Sequence, residues 1–316
     1  MSFPMAIVLY VATKRANRWQ VLCLALGMLS VSVACLLPGQ VVADSKPIEI
    51  FVSILPQKAF VERIGGEYVN VHVMVGPGQS PATYEPTPKQ MAKLTKADIY
   101  FRIGTPFETV WMDRIAASNP ALTIIDARDV ITLRDVERND FLVAAARGNH
   151  SHNHGLKDPH IWTDPLNVKN FMRHFTDKLA VLYPNYATFF WNNYQQVAVQ
   201  LDELDGKIQA MFKNTSTKQF LVFHPSWGYF ADRYGLAQIS IELEGKTPNA
   251  KELAAVIDYA TQHNITRVFV QEQFGQKDAQ AVANAIKGKV VVVDPLAEDY
   301  FNNLFLVAQK ISGSMP

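Results

Sequence analysis

The chain has 316 residues, 48% apolar and 19% charged, with a formal net charge of +1. Acids and bases are interspersed, and no basic run or basic-aromatic patch occurs, which argues against a nucleic-acid partner. The length suits two lobes rather than one small domain.

Residues 1–43 differ from the rest. Lys14, Arg15 and Arg18 precede an apolar run from Trp19 to Leu37, and GQVVAD follows. A positive start, an apolar stretch and a small-residue cleavage site read as an export signal cut after Ala43. The apolar run approaches membrane-spanning length, so a retained anchor is a competing reading, and lipidation at Cys35 is a third. Both cysteines, Cys23 and Cys35, fall in this segment. The exported chain then lacks disulfides and thiolate ligands, so any metal must be held by histidines and carboxylates.

Beyond Ala43 short apolar runs alternate with helical periodicity. IEIFVSI (48–54) reads as a buried strand, PQKAFVERIGG as a helix closed by Gly65-Gly66, and YVNVHVMV (68–75) as the next strand. The stiff, donor-poor loop GPGQSPATYEPTP (76–88) leads into a helix from Pro88. DIYFRIG (98–104) and LTIID (122–126) are further strands, separated by the helix FETVWMDRIAAS. Residues 127–159 break the rhythm as a polar, structureless insert containing HSHNH (150–154).

A helical zone follows. NVKNFMRHFTDKLAVLYP (167–184) is one helix, ended by Pro184. From Asn185 to Lys213 the apolar positions Phe190, Val197, Leu201, Leu204, Ile208 and Met211 recur at spacings of three, four or seven. That pattern predicts a helix about 45 Å long, enough to bridge two lobes. The strand–helix alternation then resumes: FLVFHP (220–225), a helix over Trp227–Tyr234, LAQISIE, the helix NAKELAAVIDYATQHN, RVFVQE, a helix near Lys277–Ile286, KVVVVDP and a last helix over Asp299–Ile311. The fold class is α/β, with two parallel-sheet lobes joined by one long backbone helix. The expected boundaries are 1–43 signal peptide, 44–165 N-terminal lobe with the histidine-containing loop at 127–159, 166–214 helical region, and 215–316 C-terminal lobe.

Ligands of parallel α/β sheets bind outside the carboxyl ends of the strands. Three segments put metal-ligating residues there. DPHIWTDP (158–165) sets His160 between two Asp-Pro turns, FLVFHPSWGYF (220–230) sets His224 after a strand, and VVVVDPLAEDY (290–300) does the same for Asp294. A lone strand-end histidine is more often a hydrogen-bonded core or rim residue, and Asp126, Asp158 and Asp164 read as turn or cap residues. Two imidazoles and one carboxylate on separate segments nevertheless suit Zn²⁺, and can serve Mn²⁺ or Fe²⁺.

The chain resembles the zinc/manganese-binding solute receptors of bacterial ABC importers. The marks are YEPTP, ADIYFRIG followed by FE, DPHIWTDP, FHPSWGYFADRYGL, EGKTPNAKEL and VVVDPL, and the likeness runs from Ile48 to the C-terminus. The resemblance implies a metal cleft between the lobes, with His160, His224 and Asp294 as ligands and His224 marking the zinc type. It implies a monomeric periplasmic receptor that hands a divalent metal, zinc first, to a membrane permease. Family members carry another histidine in the first loop, in a pattern like D-P-H-T-Y-E-P-T-P; here S-P-A-T-Y-E-P-T-P places Ala82 there. The missing ligand could be supplied by His150, His152 or His154, or by water or a small anion; otherwise metal choice is relaxed or tight binding is lost.

His-rich tracts are compositional signals for metal, though a solvated loop is the plain alternative. His72 is expected at a sheet face or rim, and His174 and His263 on helix surfaces. Glu242, Glu244 and Glu272 stand near strand ends, Glu272 as a candidate interlobe hydrogen-bonding residue. Tyr84 is a candidate to point into the cleft, with Phe107, Trp162 and Trp227 as its walls. No H-E-x-x-H or G-x-S-x-G motif is present, so the reading is of a binding protein and not an enzyme. The alternative is a degenerate receptor acting as an adhesin or interaction protein without tight metal binding, motivated by Ala82.

Overall fold

The computed structural model describes residues 46–136, 157–215, 218–242, 248–273 and 276–313. The expected signal peptide, the HSHNH run with His150, His152 and His154, and Glu244 lie outside the described residues. From Lys46 onward the chain forms one compact unit.

The first half is β1 (Ile48–Val52), α1 (Leu55–Gly65), β2 (Val69–Val73), α2 (Pro88–Leu94), β3 (Ile99–Arg102), α3 (Pro106–Ser118) and β4 (Thr123–Asp126). All strands pair in parallel, in the order β2-β1-β3-β4. Side chains along β1 go alternately to the two faces: Ile50 and Val52 join the main core, and Phe51 joins a separate cluster on the other side. Burial of both faces explains why these strands read as continuous apolar runs. Proline opens α2 and α3, where its missing N–H costs nothing, and Thr87 and Gln90 close a capping box on α2.

Two helices follow, α4 (Pro165–Leu182) and α5 (Ala187–Phe212), joined by a 3-10 turn at Pro184–Tyr186. The 26 residues of α5 span about 39 Å. Its buried side includes Phe190, Val197, Leu201, Leu204 and Ile208, as the spacing predicts, while Met211 is only partly buried.

The second half repeats the first: β5 (Gln219–Val222), α6 (Gly228–Tyr234), β6 (Ala237–Ser240), α7 (Ala250–Gln262), β7 (Arg267–Val270), α8 (Gln276–Ala285), β8 (Lys289–Val292) and α9 (Tyr300–Ser312). Its strands are again parallel, in the equivalent order β6-β5-β7-β8. Gly235, at φ +65°, ends α6 in the left-handed conformation that glycine adopts without a Cβ penalty.

One core runs through both halves. It passes from Ile50 and Phe101 through Phe171, Phe175 and Leu201 on α4 and α5 to Phe220, Trp227 and Tyr300. The long helix packs against α4, α1, α6 and α9, so it is a shared spine rather than a free linker.

The insert expected to be structureless at 127–159 is ordered at both described ends. Ala127–Val130 is a 3-10 helix packed on α4, Ile131 and Leu133 pack against the main core, and Asp135 bridges Lys157 in antiparallel fashion. The apolar residues hidden in a polar stretch explain the difference, since their burial offsets the entropy of ordering it. Among the described residues no helix is long and apolar enough to cross a membrane.

Candidate metal centre

His224 stands just past β5, a central strand flanked on both sides by parallel partners. The connection reverses direction between β5 and β7, the place where such sheets open a crevice. The pairing continues beyond the strand: Ile241 N donates to Val222 O at 2.9 Å and Glu242 N to Phe223 O at 3.0 Å. The register that matches Val222 to Ser240 therefore sets Glu242 beside His224, and its Oε2 lies 2.6 Å from His224 Nδ1. The turn after His224 is fixed by Ser226 N donating to His224 O at 2.9 Å and Trp227 N to Gln238 Oε1 at 2.7 Å. Gln271, at the end of β7, donates through Nε2 to Ser226 Oγ.

His160 is held by a local device. Asp158 Oδ1 accepts from His160 N at 3.0 Å and lies 2.8 Å from His160 Nδ1. Asp158 is thus the turn residue the sequence suggests, and it also orients the imidazole. Past the histidine, Ile161–Thr163 form a 3-10 turn whose Ile161 and Trp162 are buried anchors. Asp164 accepts from Leu166 N at 2.8 Å as the cap of α4.

These devices bring the two rings together, with centroids 5.3 Å apart and planes at 75°. A carboxylate on each Nδ1 favours the Nδ1–H tautomer, leaving Nε2 with the lone pair a metal needs. Burial pushes the His224 imidazole below its ordinary pKa; the Glu242 hydrogen bond opposes this without offsetting it, and nearby His160 adds to the lowering. The neutral, metal-binding form is favoured. Burial pushes the Asp158 carboxyl up, but the hydrogen bonds from His160 and the charge of nearby Arg134 outweigh burial and hold it below the usual value.

Asp294 is tied to the same neighbourhood through its backbone. Trp162 Nε1 donates to Pro295 O at 2.7 Å, and Asn303 Nδ2 donates to Asp294 O at 2.6 Å. Its carboxylate is occupied otherwise, accepting from Leu296 N at 2.8 Å and Gln273 Nε2 at 3.4 Å. Among the described residues, no three His, Cys, Asp or Glu side chains form a ready-made cage for an ion. The structure joins His160 with His224 and leaves the Asp294 carboxylate on its own turn.

The first loop is anchored but carries no ligand at its exposed Ala82. Gln79 Oε1 accepts from Gly76 N at 2.9 Å, and Pro81 O accepts from Phe107 N at 3.2 Å. Tyr84, a candidate to point into the cleft, is buried instead: its hydroxyl donates to Gln90 at 2.6 Å and its ring meets Phe107 edge-on at 5.4 Å. Both belong to the outer cluster of the first sheet, where apolar burial outweighs exposure of one hydroxyl that already has a partner. Of the expected walls, Trp162 flanks His160 at 5.2 Å, while Trp227 is buried against Phe230.

The remaining candidates stand apart from the histidine pair. His72 pairs with Glu49 at 2.8 Å, His263 stacks on Tyr259 at 3.9 Å, and Glu272 is exposed. His174 is mostly buried, 3.8 Å from Asp129. Asp126 accepts from Arg128 N at 3.0 Å. The sequence marks Glu242 only as one of three glutamates near strand ends and gives no signal for the contacts of Arg134. The first depends on strand register and the second on contacts between segments, neither of which is written in a local pattern.

Known proteins share this fold. The profile of the family "Zinc-uptake complex component A periplasmic" matches residues 50–312. A crystal structure of ZnuA superposes with a TM-score of 0.77 at 37% identity, covering 85% of this chain and 99% of that one. A ZnuA deletion mutant with zinc bound gives 0.77 at 38%, covering 85% and 98%. The zinc-binding lipoprotein AdcA of Streptococcus pneumoniae is 27% identical over 272 residues, 84% of this chain and 52% of that protein. With that profile matching from the first strand to the last helix of its two parallel-sheet halves, the chain belongs to the periplasmic zinc-uptake component A family.

Proposed function

We propose that the protein captures zinc in the periplasm and delivers it to the membrane permease of an ABC importer, as a monomer and without catalysis. The observation that carries the reading is the pair His160–His224, each with Nδ1 held by a carboxylate. Two imidazoles on one tetrahedral ion, with Zn–N about 2.1 Å, have ring centroids roughly 5 Å apart; the observed separation is 5.3 Å.

Asp294 is the third ligand in this reading. It reaches the ion by leaving Leu296 N and Gln273, a local turn of one side chain on a segment already docked against Trp162. With Ala82 in the first loop the fourth position falls to water, a small anion or one of His150, His152 and His154. Manganese and iron remain chemically admissible, and two imidazoles favour zinc over manganese. The core shared by both halves argues for release through small tilts and loop movement rather than wide hinge closure. Residues 1–43 serve as the export signal, with cleavage after Ala43.

The test is titration of the chain from Asp44 with zinc and manganese by calorimetry with total-metal analysis, beside His224→Ala and a deletion of 150–154. One tight zinc site, lost in His224→Ala, is expected. Zinc binding that vanishes with the 150–154 deletion yet survives His224→Ala would move the site to the His-rich run. No zinc binding in any form would favour the interaction-protein alternative.

A further inference from the structure

The segment entering the His-rich loop carries a cation that touches both histidine-bearing segments. Arg134 Nη1 lies 3.1 Å from Asp158 Oδ2, the carboxylate oxygen not used by His160. Its Nε lies 2.8 Å from Asp232 Oδ2 on α6, the helix that follows His224. The backbone of Arg134 takes part as well. Its N–H donates to Tyr229 Oη at 3.1 Å, its carbonyl accepts from Asp158 N at 3.0 Å, and Tyr229 Oη donates to Asp158 O at 3.2 Å. Burial pushes the Tyr229 phenol up to about 12, so it keeps the proton it donates.

Gly228 makes this closure possible. A Cβ there would land on the Arg134 guanidinium and come within 2.6 Å of Asp158 Oδ2. The start of α6 is therefore laid directly on the ion pair.

We propose that Arg134 is a positioning residue for zinc capture: it clamps the Asp158 carboxylate against α6, and so fixes the His160 ring in orientation and tautomer opposite His224. The Asp158 side chain is 3% exposed. A buried carboxylate held at only one oxygen can rotate or take up another partner, whereas one held at both oxygens cannot do so cheaply. The inference rests on the zinc reading above.

The test measures zinc affinity by competition with a chromophoric chelator for wild type, Arg134→Met, Asp158→Asn, the double variant and His224→Ala. Nitrogen-15 shifts of the metal-free His160 ring are recorded alongside. Arg134→Met is expected to weaken zinc by about 10–100-fold, with the His160 tautomer shifted from Nδ1–H to a mixture. The double variant should be no weaker than Asp158→Asn by more than about twofold, because the two residues act through one another. Arg134→Lys, which keeps the charge and loses the fork, should recover part of the affinity and carries the test if Arg134→Met does not fold.

Zinc affinity in Arg134→Met within about twofold of wild type, with His224→Ala inactive, overturns the clamp and leaves the zinc site standing. Fully additive losses in the double variant also overturn it, placing Arg134 in the general stability of α6. Unchanged zinc binding in His224→Ala means instead that the zinc reading itself has failed.

Discussion

The two parallel sheets share one strand order and differ in what their carboxyl ends carry. At the first sheet the strand ends close on a buried glutamate. Glu108 accepts from Ser53 Oγ at 2.6 Å, Gly104 N at 2.8 Å, Ile103 N at 3.0 Å, and both Thr105 Oγ1 and Arg102 Nε at 3.1 Å. Asp126 then pairs with Arg128 at 2.7 Å. At the second sheet the strand ends carry His224, Glu242, Gln271 and Asp294, and the carboxylate there orients a ring nitrogen instead of closing a network. The same frame thus gives an internally satisfied wall on one side and the proposed ligand atoms on the other. A wall of that kind can hold a loop steady whether or not the loop carries a ligand, which is the situation of Ala82.

The largest expected effect comes from removing the ligand proposed at the second sheet. His224→Ala should weaken zinc by more than about 100-fold, beyond the range of supporting residues, in a chelator-competition assay, with its far-UV circular dichroism unchanged. Retained affinity would mean the ligands do not come from this strand end. Next is the carboxylate behind the ring: Glu242→Gln should cost roughly 10–100-fold in zinc affinity. A loss as large as that of His224→Ala would place Glu242 on the metal itself.

A smaller change, in the opposite direction, is expected from adding a ligand to the first loop. Ala82→His should tighten zinc by roughly tenfold, about 1.4 kcal/mol, because the loop is already anchored through Pro81 and Tyr84. Unchanged affinity would show that the anchored loop does not reach the ion.

The smallest effect concerns the wall. Burial raises the Asp126 carboxyl, but the hydrogen bonds and charge of Arg128, with Arg102, outweigh it and leave the folded value lowered. A lowered carboxylate contributes stability above its unfolded value, about 3.9, and that contribution is lost as pH falls through the folded one. Asp126→Asn should therefore cost on the order of 1 kcal/mol in urea unfolding at pH 7 and progressively less toward pH 3. A difference that grows on acidification would contradict the assignment.

The sequence by itself determined the alternation of strands and helices, the long spine and the two histidine segments. Each rests on local signals: apolar runs of strand length, a helical period across Phe190–Ile208, and prolines beside His160 and His224. The Asp158–His160 contact was within reach of the sequence too, since it spans two residues of one turn. Tertiary structure alone decided the rest. Glu242 meets His224 because a parallel register aligns positions distant in sequence, Arg134 meets Asp158 and Asp232 because a glycine lets α6 close on them, and Tyr84 turns inward because Phe107 waits there. Periodicity fixes which face of an element is apolar; it carries no information about which distant polar group will stand opposite, because that is settled by how the faces pack.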